Sequence, residues 1–257
     1  MISTTADKNR KKTRIRLWSV AFWLLLWEIV SRIIGQEILL VSPVSVIRRL
    51  FELGTEADFW SSVAYSFGRI IGGFLLAACC GVLLAGAGAA CRFVRELAAP
   101  AMAAVKATPV ASFIILVLIW VPSRNLSVVI SFLMVLPVIY TNVLNGIQST
   151  DRKLLEMTEV FDVSPWRRIK YIYMSSVLPY FRAGCSLGLG LCWKAGVAAE
   201  VIGIPAGSIG EKLYEAKVYL ETPDLFSWTI VIIILSIAFE KIFLLLTDLL
   251  VGRVERR

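Results

Sequence analysis

The chain has 257 residues, 58% of them hydrophobic, with a mean hydropathy of +0.75. Soluble domains run near 45–50% apolar, so this composition suits lipid; at about 20 residues per span it holds about five to seven spans and excludes a large soluble domain. The net charge of +8 sits in short basic blocks beside apolar runs, which is the positive-inside pattern of a membrane protein rather than a nucleic-acid-binding face. The chain contains no histidine, which removes histidine metal sites, Ser-His-Asp triads and histidine proton relays. The five cysteines, Cys79, Cys80, Cys91, Cys185 and Cys192, form no CxxC pair and read as small buried hydrophobes, not as a metal site.

A basic stretch from Lys8 to Arg16 precedes an apolar run from Leu17. That order fits a signal peptide, but no small-x-small cleavage site follows, so an uncleaved first span over 17–34 is expected. Within it Glu28 and Arg32 are four apart and can pair. Ser42-Pro43 then opens a short amphipathic helix carrying Val44, Ile47, Leu50 and Phe51. The second span is expected over 62–90, rich in Gly and Ala, with Gly68-x-x-x-Gly72 as a close-packing face. The third covers 101–121, holds Lys106 and has its kink at Pro109. The turn Pro122-Ser-Arg-Asn125 leads into a fourth span over 126–147. After a polar loop the fifth covers 183–204, with Gly184-x-x-x-Gly188 as a packing face, and the sixth runs from 226 to 246. The expected fold is therefore all-α, a polytopic membrane protein with six transmembrane helices. With the N-terminus inside, seventeen Lys and Arg fall on the cytoplasmic side against five outside, Arg48, Arg49, Arg124, Lys212 and Lys217. Both termini and the polar loop are then cytoplasmic.

The polar loop is the most informative stretch. Asp151 suits the N-cap of a helix from Arg152 to about Phe161, with Leu154, Leu155 and Thr158 towards the bundle and Lys153, Glu156 and Glu159 outward. Asp162-Val163 turns the chain. Ser164 caps a second short helix with Pro165 at its first position, where Trp166, Ile169, Ile172 and Tyr173 form an apolar stripe and Arg167, Arg168 and Lys170 a basic one. The charge pattern alone leaves two readings open: a device gripped by a cytosolic partner, or a helix pair lying on anionic lipid.

The order Glu156-x5-Asp162-x-Ser164-x-Trp166, closing in Leu178-Pro179-Tyr180, resembles the "EAA" coupling loop of type I ABC importer permeases, which reads roughly Glu-Ala-Ala-x3-Gly-Ala-Ser-x-Trp followed by Leu-Pro. Trp27-Glu28, Ser42-Pro43, Lys106-x-x-Pro109, Trp120 and Ala199-Glu200-x-x-Gly203 follow in the order of the branch that handles nitrate, taurine, alkanesulfonates, bicarbonate and thiamine-precursor pyrimidines. The chain departs from the pattern at Met157 and Thr158 (for two alanines), Asp162 (for glycine), Ser175 (for an upstream proline) and Val121-Pro122-Ser123-Arg124 after Trp120. Asp tolerates the left-handed region that the glycine would occupy. The resemblance implies a transmembrane type-1 domain over 58–250, preceded by the tail, first span and external segment of 1–57 and followed by a basic tail, 251–257. It also implies that the loop, 148–182, seats its residues Glu156, Thr158, Glu159, Asp162, Ser164, Pro165, Trp166 and Arg167 on a dimer of separate ABC ATPase subunits. The chain lacks GxxxxGK[ST], so ATP-Mg would be bound by that partner and no cofactor by this chain. The remaining implied partners are an extracytoplasmic substrate-binding protein, a second copy of the permease and the lipid of a bacterial cytoplasmic membrane. The implied role is transport, not enzymology.

Lys194 and Glu200 lie inside the fifth span, where a charge costs about 2.5–3.5 kcal/mol. Six residues apart at 100° each, they point away from one another. Lys194 either faces an anionic substrate near the midplane or neutralises an acid of a neighbouring helix such as Glu240. Glu200 shapes a gate or fixes helix packing, and Trp193 either lines the pathway or packs. An ATPase-independent secondary transporter or channel using Lys194 and Glu200 is the alternative function, although no pair of interrupted spans repeats between the two halves.

Overall fold

The computed structural model describes residues 17–255, and every regular element among them is helical. The basic block Lys8–Arg16 and the terminal Arg256-Arg257 lie outside the described residues. The helices are α1 (Leu17–Ile34), α2 (Pro43–Gly54), α3 (Ala57–Ala90), α4 (Arg92–Ala107), α5 (Val110–Leu118), α6 (Ser123–Gln148), α7 (Arg152–Val160), α8 (Pro165–Arg168), α9 (Met174–Gly203), α10 (Ile209–Val218) and α11 (Thr222–Glu255). A π-helical turn, Ile169–Tyr173, joins α8 to α9, so Pro165–Gly203 is one helical run of 39 residues. That run, α3, α6 and the 28-residue stretch Thr222–Leu249 are long and apolar enough to cross a bilayer.

The expected third span is not one rod. α4 begins at Arg92 and carries Arg92, Arg95, Glu96 and Lys106, and it meets α5 at 108° across Thr108-Pro109. Proline lacks the N–H that would continue the ladder and drives the preceding residue out of the α region; Thr108 is extended, with φ −78° and ψ 129°. The bent pair makes a fifth candidate crossing. α1 covers the residues of the expected first span without being one of these candidate crossings, and Arg32 pairs with Glu28 at 2.7 Å. It bonds to the linker before α2 through Trp27 Nε1–H to the Val41 carbonyl (3.0 Å) and Ser31 Oγ–H to the Leu40 carbonyl (2.9 Å), sets the Trp27 ring 5.5 Å from Phe226 of α11, and exposes Trp18, Phe22, Trp23 and Leu25. Ser42 caps α2 by accepting from the Ser45 N–H, with Pro43 at the first position.

The core is a sandwich of α3, α6 and α9, into which α11 sends Phe239 and Phe243 against Phe67 and Phe74. α6 and α9 run antiparallel and approach closely along a row of glycines. A Cβ on Gly184 would lie 3.0 Å from Asn142 Cβ, on Gly188 3.1 Å from Val135 Cγ1, on Gly196 2.7 Å from Ser131 Oγ, and on Gly203 2.7 Å from Leu126 Cδ2. Small residues let backbones approach closely where lipid supplies no hydrophobic drive. On α3 the contact falls on Gly73 and Gly81, against α6, whereas a Cβ on Gly68 or Gly72 would meet nothing within 4 Å. The Gly68-x-x-x-Gly72 face is thus not a packing face within this chain.

Ion pairs tie the two ends. At one, Arg49 pairs with Asp224 and Lys212 with Asp58 at 2.8 Å. The Asp58 carboxylate holds the Lys212 ammonium above its ordinary range, and Asp224 does the same for the Arg49 guanidinium. Tyr65 there donates to the Arg124 carbonyl at 3.3 Å, so Arg48, Arg49, Arg124 and Lys212, expected outside, share one end. At the other, Arg182 pairs with Asp248 at 2.8 Å.

Gly73→Ala forces its methyl into the Val128 carbonyl, a backbone atom that cannot yield cheaply. A loss of about 1–3 kcal/mol is expected, read as a lower midpoint of thermal unfolding in detergent. Gly72→Ala, one residue away in open space, should leave that midpoint unchanged or raised.

Candidate functional site

The polar loop folds as a bent hairpin hung between α6 and α9. Asp151 caps α7 by accepting from the Lys153 N–H at 2.9 Å. The helix closes at Asp162, which has φ +46°. The Val163 N–H donates to the Thr158 carbonyl at 2.9 Å and the Asp162 N–H to the Glu159 carbonyl at 3.3 Å, the paired bonds of a Schellman closure. The left-handed residue is therefore Asp162 itself, and the missing glycine costs the turn nothing in form. Ser164 precedes α8 without a side-chain cap, Pro165 takes the first position, and the Ser164 carbonyl accepts from the Arg168 N–H at 3.0 Å.

Burial divides the hairpin sharply. Thr158 is 1% exposed, its hydroxyl given to the Leu155 carbonyl at 2.6 Å, and with half-buried Leu155 it forms the covered side of α7. Leu154, expected on that inner face, is exposed instead, because α7 turns only one side of a nine-residue helix inward. Glu156 pairs weakly with Arg152 at 3.4 Å, and Glu159 lies 3.8 Å from Arg168, which links α7 to α8; such exposed pairs contribute little. Arg167 is exposed. On the outer surface Val160, Phe161 and Trp166 are 80%, 72% and 73% exposed. Leu178-Pro179 does not close the hairpin; both lie inside α9, which begins nine residues earlier than its expected start.

The second cluster surrounds Glu200, fully buried near the far end of α9. Ser66 of α3 donates to its carboxylate at 2.6 Å and itself accepts from the Ile209 N–H at 2.9 Å; the Gly210 N–H reaches the same carboxylate oxygen at 3.4 Å. The carboxylate thus sits at the positive N-terminus of α10, where an acid is favoured. Any Cβ on Gly210 would overlap the Glu200 backbone. Sequence reasoning missed Ser66, Ile209 and Gly210 as partners. A local signal for α10 was present in Ser208-x-x-Glu211, where Ser208 accepts from the Glu211 N–H at 3.0 Å. Glu200 is thus enclosed where α3, α9 and α10 meet.

Lys194, at the start of the last third of α9, is exposed and has no ion-pair partner among the described residues. Glu240, offered as its neutralising acid, instead accepts from Ser186 at 2.6 Å, so that pairing is not formed. As expected, Lys194 and Glu200 do not meet. Trp193, a pathway candidate, is corrected to a core residue: it is 1% exposed, with its ring 6.0 Å from Phe67. Gly184, Gly188 and Gly203 lie on the α6 contact described above, and Pro109 at the break between α4 and α5.

Residues 77–256 match the model of the binding-protein-dependent transport system inner membrane component family. The chain belongs to this family. An aliphatic sulfonates transport permease of Bacillus subtilis is 24% identical over 264 residues, covering 99% of this chain and 92% of the relative. The nitrate import permease NrtB of Synechococcus elongatus is 26% identical over 205 residues (76% and 73%). The formylaminopyrimidine transport permease ThiX of Halalkalibacterium halodurans is 25% identical over 185 residues (72% and 74%). The chain is thus an ABC importer permease of the branch these relatives represent, a transport subunit rather than an enzyme, and a multi-pass protein of the cell membrane.

Replacing Glu200 by Leu strands the Ser66 hydroxyl and the Gly210 N–H in a buried setting. The permease should lose about 1–3 kcal/mol of stability, measured as its unfolding midpoint in lipid nanodiscs. Glu200→Gln, which keeps an acceptor oxygen there, should lose less than half as much.

Proposed function

We propose that this permease lines the translocation path of an ATP-driven importer for a small solute handed over by an external binding protein. The path is built by two copies of the chain, each with six spans, both termini and the hairpin in the cytoplasm, and a type-1 transport domain over 58–250. Two ATPase subunits bind ATP-Mg and seat the hairpins 148–182 in grooves on their surfaces. The observation that carries this reading is the apolar knob of Val160, Phe161 and Trp166, each more than 70% exposed on a segment whose charge bias puts it in the cytosol. Apolar groups kept in water at the tip of a capped, hydrogen-bonded hairpin call for a protein groove; aromatic anchors of this kind carry most of the energy in such interfaces. Glu156, Glu159 and Arg167 would form its polar rim, and Thr158, Asp162, Ser164 and Pro165 set its shape. An ATPase-independent carrier leaves that knob without a purpose.

The substrate we favour is a small anion, sulfonate- or nitrate-like, or a heterocycle. The names of the relatives support this, as does Lys194, an exposed cation within a spanning helix with no ion-pair partner among the described residues. A charge there requires water or a counter-charge, and a path between two copies supplies both. Solute binding would use Lys194 and not Trp193.

Two measurements test the proposal. Trp166→Ala should reduce co-purification of the ATPase subunit more than tenfold while leaving the permease folded; unchanged capture refutes the docking role. Lys194→Gln should retain the ATPase but slow anion uptake into ATP-loaded proteoliposomes at least tenfold; full uptake removes Lys194 from the path.

A further inference from the structure

Two irregular features meet on the same two side chains at the base of the hairpin. The first is the π-helical turn Ile169–Tyr173 between α8 and α9. Such a turn holds one residue more than an α-helix would, and the type is rare outside functional positions. The second is an open apolar groove of about 380 Å³, lined by Gly86, Ala89 and Ala90 of α3, Ile147 of α6, and Ile169 and Tyr173, with Ile169 half exposed. Ile169 and Tyr173 are the first and last residues of the π turn and lie one helical turn apart. Their neighbours across the groove are among the smallest side chains available.

The helix on either side of the turn is held very differently. C-terminal to it, α9 is clamped: a Cβ on Gly146 would lie 3.0 Å from Val177 Cα and 3.1 Å from Tyr180 Cβ. N-terminal to it, α8 carries the exposed Trp166 and has no buried residue. A clamped shaft, a turn with a surplus residue and a free tip are the parts of a pivot. Packed interiors switch between discrete arrangements and do not bend continuously. An open groove beside the surplus residue provides the second arrangement with somewhere to go.

We infer that the π turn Ile169–Tyr173 and the groove beside it form a register switch, in which the surplus residue is absorbed into the α-helix while Ile169 and Tyr173 move into the groove. Absorbing one residue changes the helix by about 1.5 Å in rise and about 100° in rotation, so Trp166 is re-aimed while α9 beyond Val177 stays in place. The inference rests on the proposal that partner ATPases push on this hairpin, and it names the element on which that push acts.

Gly86 provides the test, because a Cβ there meets nothing within 4 Å, so side-chain volume can be added to the groove from α3. Hydrogen–deuterium exchange of the amides 169–174 is followed for the full chain in lipid nanodiscs, with Gly86→Ala and Gly86→Leu as a graded series and the unfolding midpoint as a check on folding. Exchange should slow with added volume, at least tenfold for Gly86→Leu, while ATPase capture persists. Unchanged or faster exchange in a folded Gly86→Leu protein overturns the switch; if that variant does not fold, Gly86→Ala and Ala89→Val decide by the same criterion. The two readings fail separately. Slowed exchange with ATPase capture insensitive to Trp166→Ala keeps the switch and removes the docking role, and the reverse result keeps the docking and removes the switch.

Discussion

The close approach of α9 to α6 is the constraint on which the rest of the architecture hangs. Gly184, Gly188, Gly196 and Gly203 remove side chains at four levels of one helix, and at each level an atom of α6 or α3 occupies the space. In lipid this packing stands in for the hydrophobic drive that would assemble the same helices in water. It also sets the position of everything functional. The hairpin begins where α6 ends and finishes where α9 begins, so the contact of Gly146 with Val177 and Tyr180 fixes both of its roots together. At the opposite end the same contact places Glu200 within 2.6 Å of Ser66.

Polar groups in the bundle follow the logic of a low-dielectric solvent. Glu200 is enclosed, and it is tolerated there because a hydroxyl and a helix N-terminus converge on one of its oxygens. Lys106, at the last turn of α4, gives a hydrogen bond to Thr141 at 2.7 Å, and Glu240 accepts one from Ser186. Lys194 stands apart from these, since its ammonium is exposed on a spanning helix and unpaired by any described residue. The break between α4 and α5 belongs to the same logic. Proline has no N–H to leave unpaired there, the Thr108 N–H reaches the Ala104 carbonyl at 3.1 Å, and the Pro109 carbonyl accepts from the Phe113 N–H at 3.0 Å, as backbone at membrane depth requires.

Much of the hairpin was legible because caps and turns are local chemistry. Asp151 as N-cap, Pro165 at a first position and a left-handed Asp162 each depend on a handful of neighbouring residues. The four unbroken spans were legible within a turn or two at most of their ends, since apolar length is also local. The misreadings share a cause. Gly68-x-x-x-Gly72 has the same local pattern as Gly184-x-x-x-Gly188, yet only the second meets a neighbour. Leu178-Pro179 looked like a boundary, and α9 continues through it because that stretch is buttressed by Gly146 of another helix. Glu240 was a sensible partner for Lys194 by charge, but which helix faces turn towards each other is invisible along the chain.

The sequence by itself determined that this is an all-helical membrane chain, where its principal spans lie, and that a capped amphipathic hairpin interrupts them. Hydropathy, capping residues and charge blocks act over a few residues and need no fold to be read. The tertiary structure alone decided which glycines are contacts, that Trp193 is core and Lys194 is not, that α10 rests on Glu200, and that a groove lies beside the π turn. Each of those depends on residues from separate helices meeting in space, and lipid, which solvates every apolar face alike, leaves that pairing to shape.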